Sequence, residues 1–208
     1  MTLPETVFNK ILVASDLEDA VEDLLIKWFP TYLREIERQR GWEGEPLPAP
    51  ASYAHRTTFD IEPGEAMPKA VVISPGLFEV PTHPQGQDGA YNAAWQMAVG
   101  IATAAKTEEE ADEMVKIYGA AVRAIMVQHQ SLESDAVGVF WLDESYDDLQ
   151  IPDRIQLYKG AAVLFAIYVE DVVSRWAGPI VPDELAQIDS LAETVDTDIE
   201  KIPITDDI

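Results

Sequence analysis

The stretch from Leu157 to Trp176 constrains the fold more than any other. In LYKGAAVLFAIYVEDVVSRW, Val163, Phe165, Ile167 and Val169 alternate with Ala162, Leu164, Ala166 and Tyr168. Both parities are apolar. A strand of this kind belongs in the middle of a sheet, or against a second subunit on one side. A second run, Tyr91–Ala105, alternates differently. Tyr91, Trp95, Met97, Val99 and Ile101 share one parity; Asn92, Gln96 and Gly100 share the other. Its alanines favour helix, while Gly100 and the β-branched Val99 and Ile101 tip the balance to strand. The small-residue side suits close packing by a helix or a neighbouring subunit.

Helical spacing marks two further elements. From Ser15 to about Arg40, Leu17, Val21, Leu24, Leu25, Trp28, Tyr32 and Ile36 recur on one face. Ser15 with Glu18 reads as a capping box, Gly41 as the stop, and Pro30 as a kink or a split. A short helix from about Pro4 to Val13 is expected before it. From 108 to 129, Ala111, Met114, Val115, Tyr118, Val122, Ile125, Met126 and His129 trace a second apolar face. Thr107 and Glu110 cap it, and four glutamates near its start suit the helix dipole. Asp112, Lys116, Arg123 and Gln128 lie opposite, so this helix is expected on a sheet with one side wet.

Shorter pieces complete the organisation. Residues 41–51 (GWEGEPLPAPA) and 81–90 (PTHPQGQDGA) read as surface loops. Tyr53–Phe59, Ala70–Ser74 and Ala136–Leu142 read as strands, with DESYDDL as a charged turn after the last. The predicted class is α+β: a small, mostly antiparallel sheet with helices packed on one face, plus extended loops and a C-terminal arm. The core is expected over 1–178 and the arm over 179–208.

Composition then excludes functions. The 208 residues carry 38 acidic against 14 basic side chains, a net charge of −24. Residues 179–208 hold nine of the acids and one lysine, a net of −8, leaving −16 on residues 1–178. Gripping nucleic acid through phosphates needs clustered Lys and Arg, and no basic run of that kind occurs. Anionic membrane surfaces are disfavoured for the same reason. No apolar stretch is long enough for a membrane helix. The start, MTLPETVFNK, lacks the pattern of a secretory signal, which predicts a soluble protein made and used in a cytoplasm. The chain has no cysteine, so disulfides, thiol catalysis and thiolate zinc sites are excluded.

The search for chemistry finds no nucleotide-binding, zincin or nucleophile-elbow motif. His55, His83 and His129 are far apart in sequence. Asp143, Glu144, Asp147 and Asp148 are the best candidates for a divalent metal or an acid–base pair. They lack the glycine and distal glutamate of an EF-hand, and the simpler reading is a solvated turn. Asp198, Glu200 and Lys201 only faintly suggest a nuclease, with the wrong spacing. The chain is therefore expected to be no enzyme, with no catalytic residues, no metal and no cofactor. Large aromatic residues such as Trp28, Tyr32, Trp95, Tyr118 and Trp141 are expected in the core. Large apolar residues in or beside loops are the better interface candidates. These are Trp42, Phe78, Tyr91 and Trp176, with Ile199, Ile202 and Ile204 of the arm.

The order of segments carries a family resemblance. A tryptophan-bearing helix ends in LREIERQRG and a proline loop follows. Then come YNAAWQMAVGIATAA, a helix with YGAAVRAIMVQHQSL, GVFWLDESYDDL, and the long AAVLFAIYVEDVVSRWAGP. Over about residues 12–178 this resembles the tail terminator proteins of long-tailed phages of actinobacteria. The resemblance implies a structural virion protein, located in the tail or neck and assembled in the host cytoplasm. It implies a small sheet with helices on one side and a homo-hexameric ring. The ring would cap the tail tube, end tube polymerisation and meet the head-to-tail connector or head-completion protein. Its expected partners are other copies of itself, the major tail tube protein and that connector. DNA would pass through the lumen without specific binding, kept moving by the acidic charge. Another neck or tube subunit is the nearest alternative, and an acidic metal-dependent hydrolase the more distant one.

Overall fold

A computed structural model describes residues 12–55, 66–79, 90–132, 137–149 and 157–174, all within the unit Met1–Trp176. The expected arm, most of the expected first short helix, loop 81–89, and the candidates Trp176, Ile199, Ile202 and Ile204 lie outside the described residues. So does His83.

The described elements are α1 (Ala14–Arg40), β1 (Ser52–Ala54), β2 (Lys69–Glu79), β3 (Ala90–Ala105), α2 (Glu108–Gln128), β4 (Val137–Leu149) and β5 (Leu157–Ser174). The strands form one open sheet in the order β1-β2-β3-β5-β4. Only β1 and β2 run parallel; the other three pairs are antiparallel. The class is α+β, as the sequence predicts. β5 lies inside the sheet between β3 and β4, which its two apolar parities require.

One parity of each long strand faces the helices. Trp95, Met97, Val99 and Ile101 of β3 join Val163, Phe165, Ile167 and Val169 of β5 in a single core. Against them pack Leu17, Val21, Leu25, Phe29 and Leu33 of α1, and Tyr118, Val122, Ile125 and Met126 of α2. Ile117 and Ala121 are buried as well, because α2 is held between α1 and the sheet rather than resting on it by one narrow stripe. Loop 41–51 lies at the surface but is pinned. Leu47 is buried, Leu47 N–H donates to Glu37 Oε1, and Tyr118 OH donates to the Pro48 carbonyl at 2.5 Å.

Several sequence expectations are corrected. The α1 cap is not Ser15 with Glu18. The helix starts one residue earlier, and the Val13 N–H donates to Asp16 Oδ2 at 3.0 Å. Glu18 instead accepts the Ser74 N–H of β2 at 2.6 Å, a tertiary partner that outbids the local one. Pro30 does not split the helix, which runs 27 residues. Pro30 and the residue one turn before it, Ile26, are both exposed, so water satisfies the carbonyl that proline leaves without a donor. Gly41 does end α1, in left-handed conformation at φ 62°, where a side chain would be strained. The Trp42 N–H closes the last turn onto the Glu37 carbonyl. Thr107 caps α2, its hydroxyl accepting the Glu110 N–H at 3.2 Å.

The strands also differ from expectation. The piece expected from Tyr53 is only Ser52–Ala54 among the described residues, and Ala70–Ser74 is the first half of the longer β2. The largest correction is DESYDDL. It is no turn: β4 continues to Leu149, paired with β5 as far as Tyr158.

Candidate assembly surfaces

The β4 correction explains where the acidic quartet goes. A bulge between Trp141 and Asp143 resets the alternation. Beyond it Glu144, Tyr146 and Asp148 pair with Val163, Ala161 and Lys159, on the helix side; Asp143, Ser145 and Asp147 point the other way. Glu144 is nearly buried and paired with Arg123 of α2. Tyr146 OH also donates to Glu144, and burial with this bond pushes the Tyr146 hydroxyl up to about 12. A Cβ on Gly119 would sit 3.2 Å from both side chains, so the glycine lets β4 close on α2. Lys159 bridges Asp112 at 2.6 Å and Asp148 at 3.1 Å. Hydrogen bonds from Lys116 and Lys159 hold the Asp112 carboxyl down to about 2. The four carboxylates of 143–148 thus divide between two faces and form no common site. No group of three potential metal ligands occurs among the described residues. His55 Nε2 lies 2.6 Å from Glu22 Oε2 of α1, and its Nδ1 3.6 Å from Asp19 Oδ1.

The opposite face of the sheet carries small residues. Ala98, Gly100 and Ala104 of β3 and Ala162 and Leu164 of β5 lie there half-buried. Asn92 Nδ2 donates to Tyr168 OH across the same pair of strands at 2.6 Å. Among the described residues both helices pack on the other side.

The sheet edges are where large apolar groups surface. Among the described residues β1 covers β2 only along Lys69–Val71 and leaves the rest of β2 as an edge, and Leu77 and Phe78 are about half exposed there. At the other edge β4 exposes Phe140, Trp141 and Leu142 in succession, Phe140 at 60%. Trp141 lies under the Arg123 guanidinium, 5.0 Å from its ring centre. Exposed apolar edges of this kind are interaction surfaces or aggregation hazards.

A groove of about 490 Å³ lies between the C-terminal half of α1 and the end of α2, lined by Trp28, Tyr32, Arg34, Arg38 and Gln128 among others. Its wall is built by stacking. The Trp28 and His129 rings lie 4.5 Å apart and nearly parallel. Tyr32 OH donates to Gln128 Oε1 at 2.7 Å and lies 3.2 Å from His129 Nε2. The Trp28 indole N–H is buried with no acceptor among the described residues. Arg38 is held by Glu35 through two hydrogen bonds, and these, with Gln39, keep the Glu35 carboxyl at about 2. Arg34 is exposed and has no ion pair among the described residues.

The described interface candidates belong to three different segments. Trp42 packs against the core and donates from Nε1 to the Glu45 carbonyl at 2.9 Å. Phe78 is exposed near the end of β2, and Tyr91 is half-buried at the start of β3. Sequence reasoning missed Phe140 and Leu142, and placed Trp141 in the core. Their signal was present as a large apolar triplet running directly into DESYDD, on a strand whose far half is too acidic to be covered all round.

No family model matches the chain, and no curated protein matches it.

Among solved structures, the chain is similar to one from the virion of a native gene transfer agent (GTA) particle. The two are 18% identical with a TM-score of 0.41, over 74% of this chain and 94% of that one. At that score the likeness bears on part of the backbone geometry and carries nothing about function. Among the described residues, no helix is long and apolar enough to cross a membrane.

Proposed function

We propose that this chain is a structural virion protein of the tail-terminator kind. It forms a ring that caps the tail tube, ends tube polymerisation and joins the tail to the head connector. One observation carries the reading most: the described core is finished on one face of the sheet only, while both edges present large apolar side chains to solvent. A protein built to associate with copies of itself needs such surfaces. The order of segments that resembles the tail terminators fits the same role. The division of the acidic quartet between two faces gives no support to a hydrolase centred on those four carboxylates.

The acidic charge supports passage of DNA without binding, since a wall of carboxylates repels phosphate. The 179–208 segment is proposed as an arm that engages a neighbouring subunit. Another neck or tube subunit is separated by assembly behaviour. Purified chain added to polymerising tail-tube protein is expected to shorten the tubes and to sit at one end. Tubes of unchanged length, or long tubes made by this chain alone, would overturn the terminator role.

A further inference from the structure

We propose that the groove beside α1 receives the outer edge of β4 from a second copy of this chain. The proposal deepens the ring reading, and rests on it, by naming the two surfaces that meet. Their chemistry is complementary. The C-terminal half of α1 carries Lys27, Arg34, Arg38 and Arg40 against Glu35 and Glu37, a net positive stretch in a chain of net charge −24. Arg38 pairs with Glu35 and Arg40 with Glu113, which leaves Arg34 as the groove's cation for a partner. Its groove is aromatic along Trp28 and Tyr32 and ends in the exposed Arg34, which has no ion pair among the described residues. The β4 edge presents the reverse: exposed apolar Phe140 and Leu142, then exposed Asp143 and Asp147, both outward-facing. Asp147 has no ion pair among the described residues. Phe140 and Leu142 supply the apolar filling for the aromatic wall, and the aspartates reach the guanidinium.

The two surfaces are different parts of the chain, so the contact is heterologous. Each copy offers one groove and one strip, and copies joined this way close into a ring when the rotation allows. Net charge opposes association at long range. At physiological ionic strength that repulsion is screened beyond about 8 Å, while a contact pair survives. Local complementarity then decides which surfaces meet.

The test is a charge exchange, read as assembly mass of the full-length chain in solution at physiological salt. Arg34→Glu and Asp147→Arg are each expected to weaken self-association roughly tenfold or more, because like charges then face each other. An equal mixture of the two variants restores it, since each interface regains an opposite pair. Phe140→Ser weakens association without any change of charge, and the mixture does not rescue it. Both charged positions are exposed, so each variant is expected to keep the wild-type far-UV circular dichroism spectrum, which separates lost assembly from lost fold. Assembly unchanged in the single variants, or not restored on mixing, would overturn the interface while leaving the ring reading in place. A wild-type chain that never self-associates overturns the interface too, and the tube-length assay then decides the ring reading separately.

Discussion

The two faces of this sheet are made from the same strands and end up with opposite fates. On one, Met97, Val99, Ile101, Phe165 and Ile167 are fully buried beneath two helices. On the other, alternate residues of β3 and β5 are Ala, Gly, Gln, Leu, Asn and Tyr, and most keep some exposure. The first face is a completed core, in which volume is everything. The second is smooth and shallow, and the exposed apolar groups near it stand at the edges. Stability is therefore concentrated on one side of the sheet, and substitutions on the two faces can separate a packed core from a surface.

The sharpest break of that contrast is Phe165→Ala against Leu164→Ala. Removing the fully buried ring is expected to cost about 3–5 kcal/mol, while its neighbour on the open face costs about 1 kcal/mol or less. Chemical denaturation measures both. Equal costs would mean that the open face is also a packed core.

The same contrast runs along β4. Glu144→Ala leaves Arg123 and the Tyr146 hydroxyl without their partner, at an expected cost of about 2 kcal/mol. Asp147→Ala, three residues further on and on the opposite parity, is expected to change stability by less than about 0.5 kcal/mol.

A smaller effect is expected at Tyr118. Burial, and then the nearby Glu37 charge, push its hydroxyl well above the ordinary tyrosine range. The folded state favours the protonated form. Its contribution is complete below about pH 10 and is lost as pH rises further. Tyr118→Phe should lower stability at pH 7 by about 1 kcal/mol, for the lost bond to Pro48, and flatten this alkaline decline.

The smallest effect is at Asp112, an exposed carboxylate held down to about 2 by Lys116 and Lys159. Its contribution is present above about pH 4 and fades as pH falls towards 2. Asp112→Asn is expected to flatten the acid limb of a thermal-melt series while leaving the melt near neutrality almost unmoved. An unchanged acid limb would show that the α2–β5 bridge contributes nothing.

Much of this fold was legible in the sequence because period is a local property. The parity of Val99 and Ile101, the two apolar sides of β5, and the face from Ala111 to Met126 each declare an element without reference to the rest. What stayed hidden depends on distant partners. DESYDDL reads as a turn because nothing nearby neutralises it; Arg123 and Lys159, brought in by α2 and β5, make it a strand. Ser15 and Glu18 read as a cap until Ser74 claims Glu18. The groove was hidden for the same reason, since Trp28, Tyr32, Gln128 and His129 meet only when α1 and α2 pack. Of the surfaces argued for here, only the Phe78 edge was singled out by its residue type and position.

The account turns on whether this chain assembles. The most direct measurement is the mass of the purified full-length protein in solution, alone and with tail-tube protein. The account predicts a closed oligomer of several copies, alone or on the tube end, with its charge-exchanged variants losing and regaining that mass. A strict monomer under both conditions would contradict it.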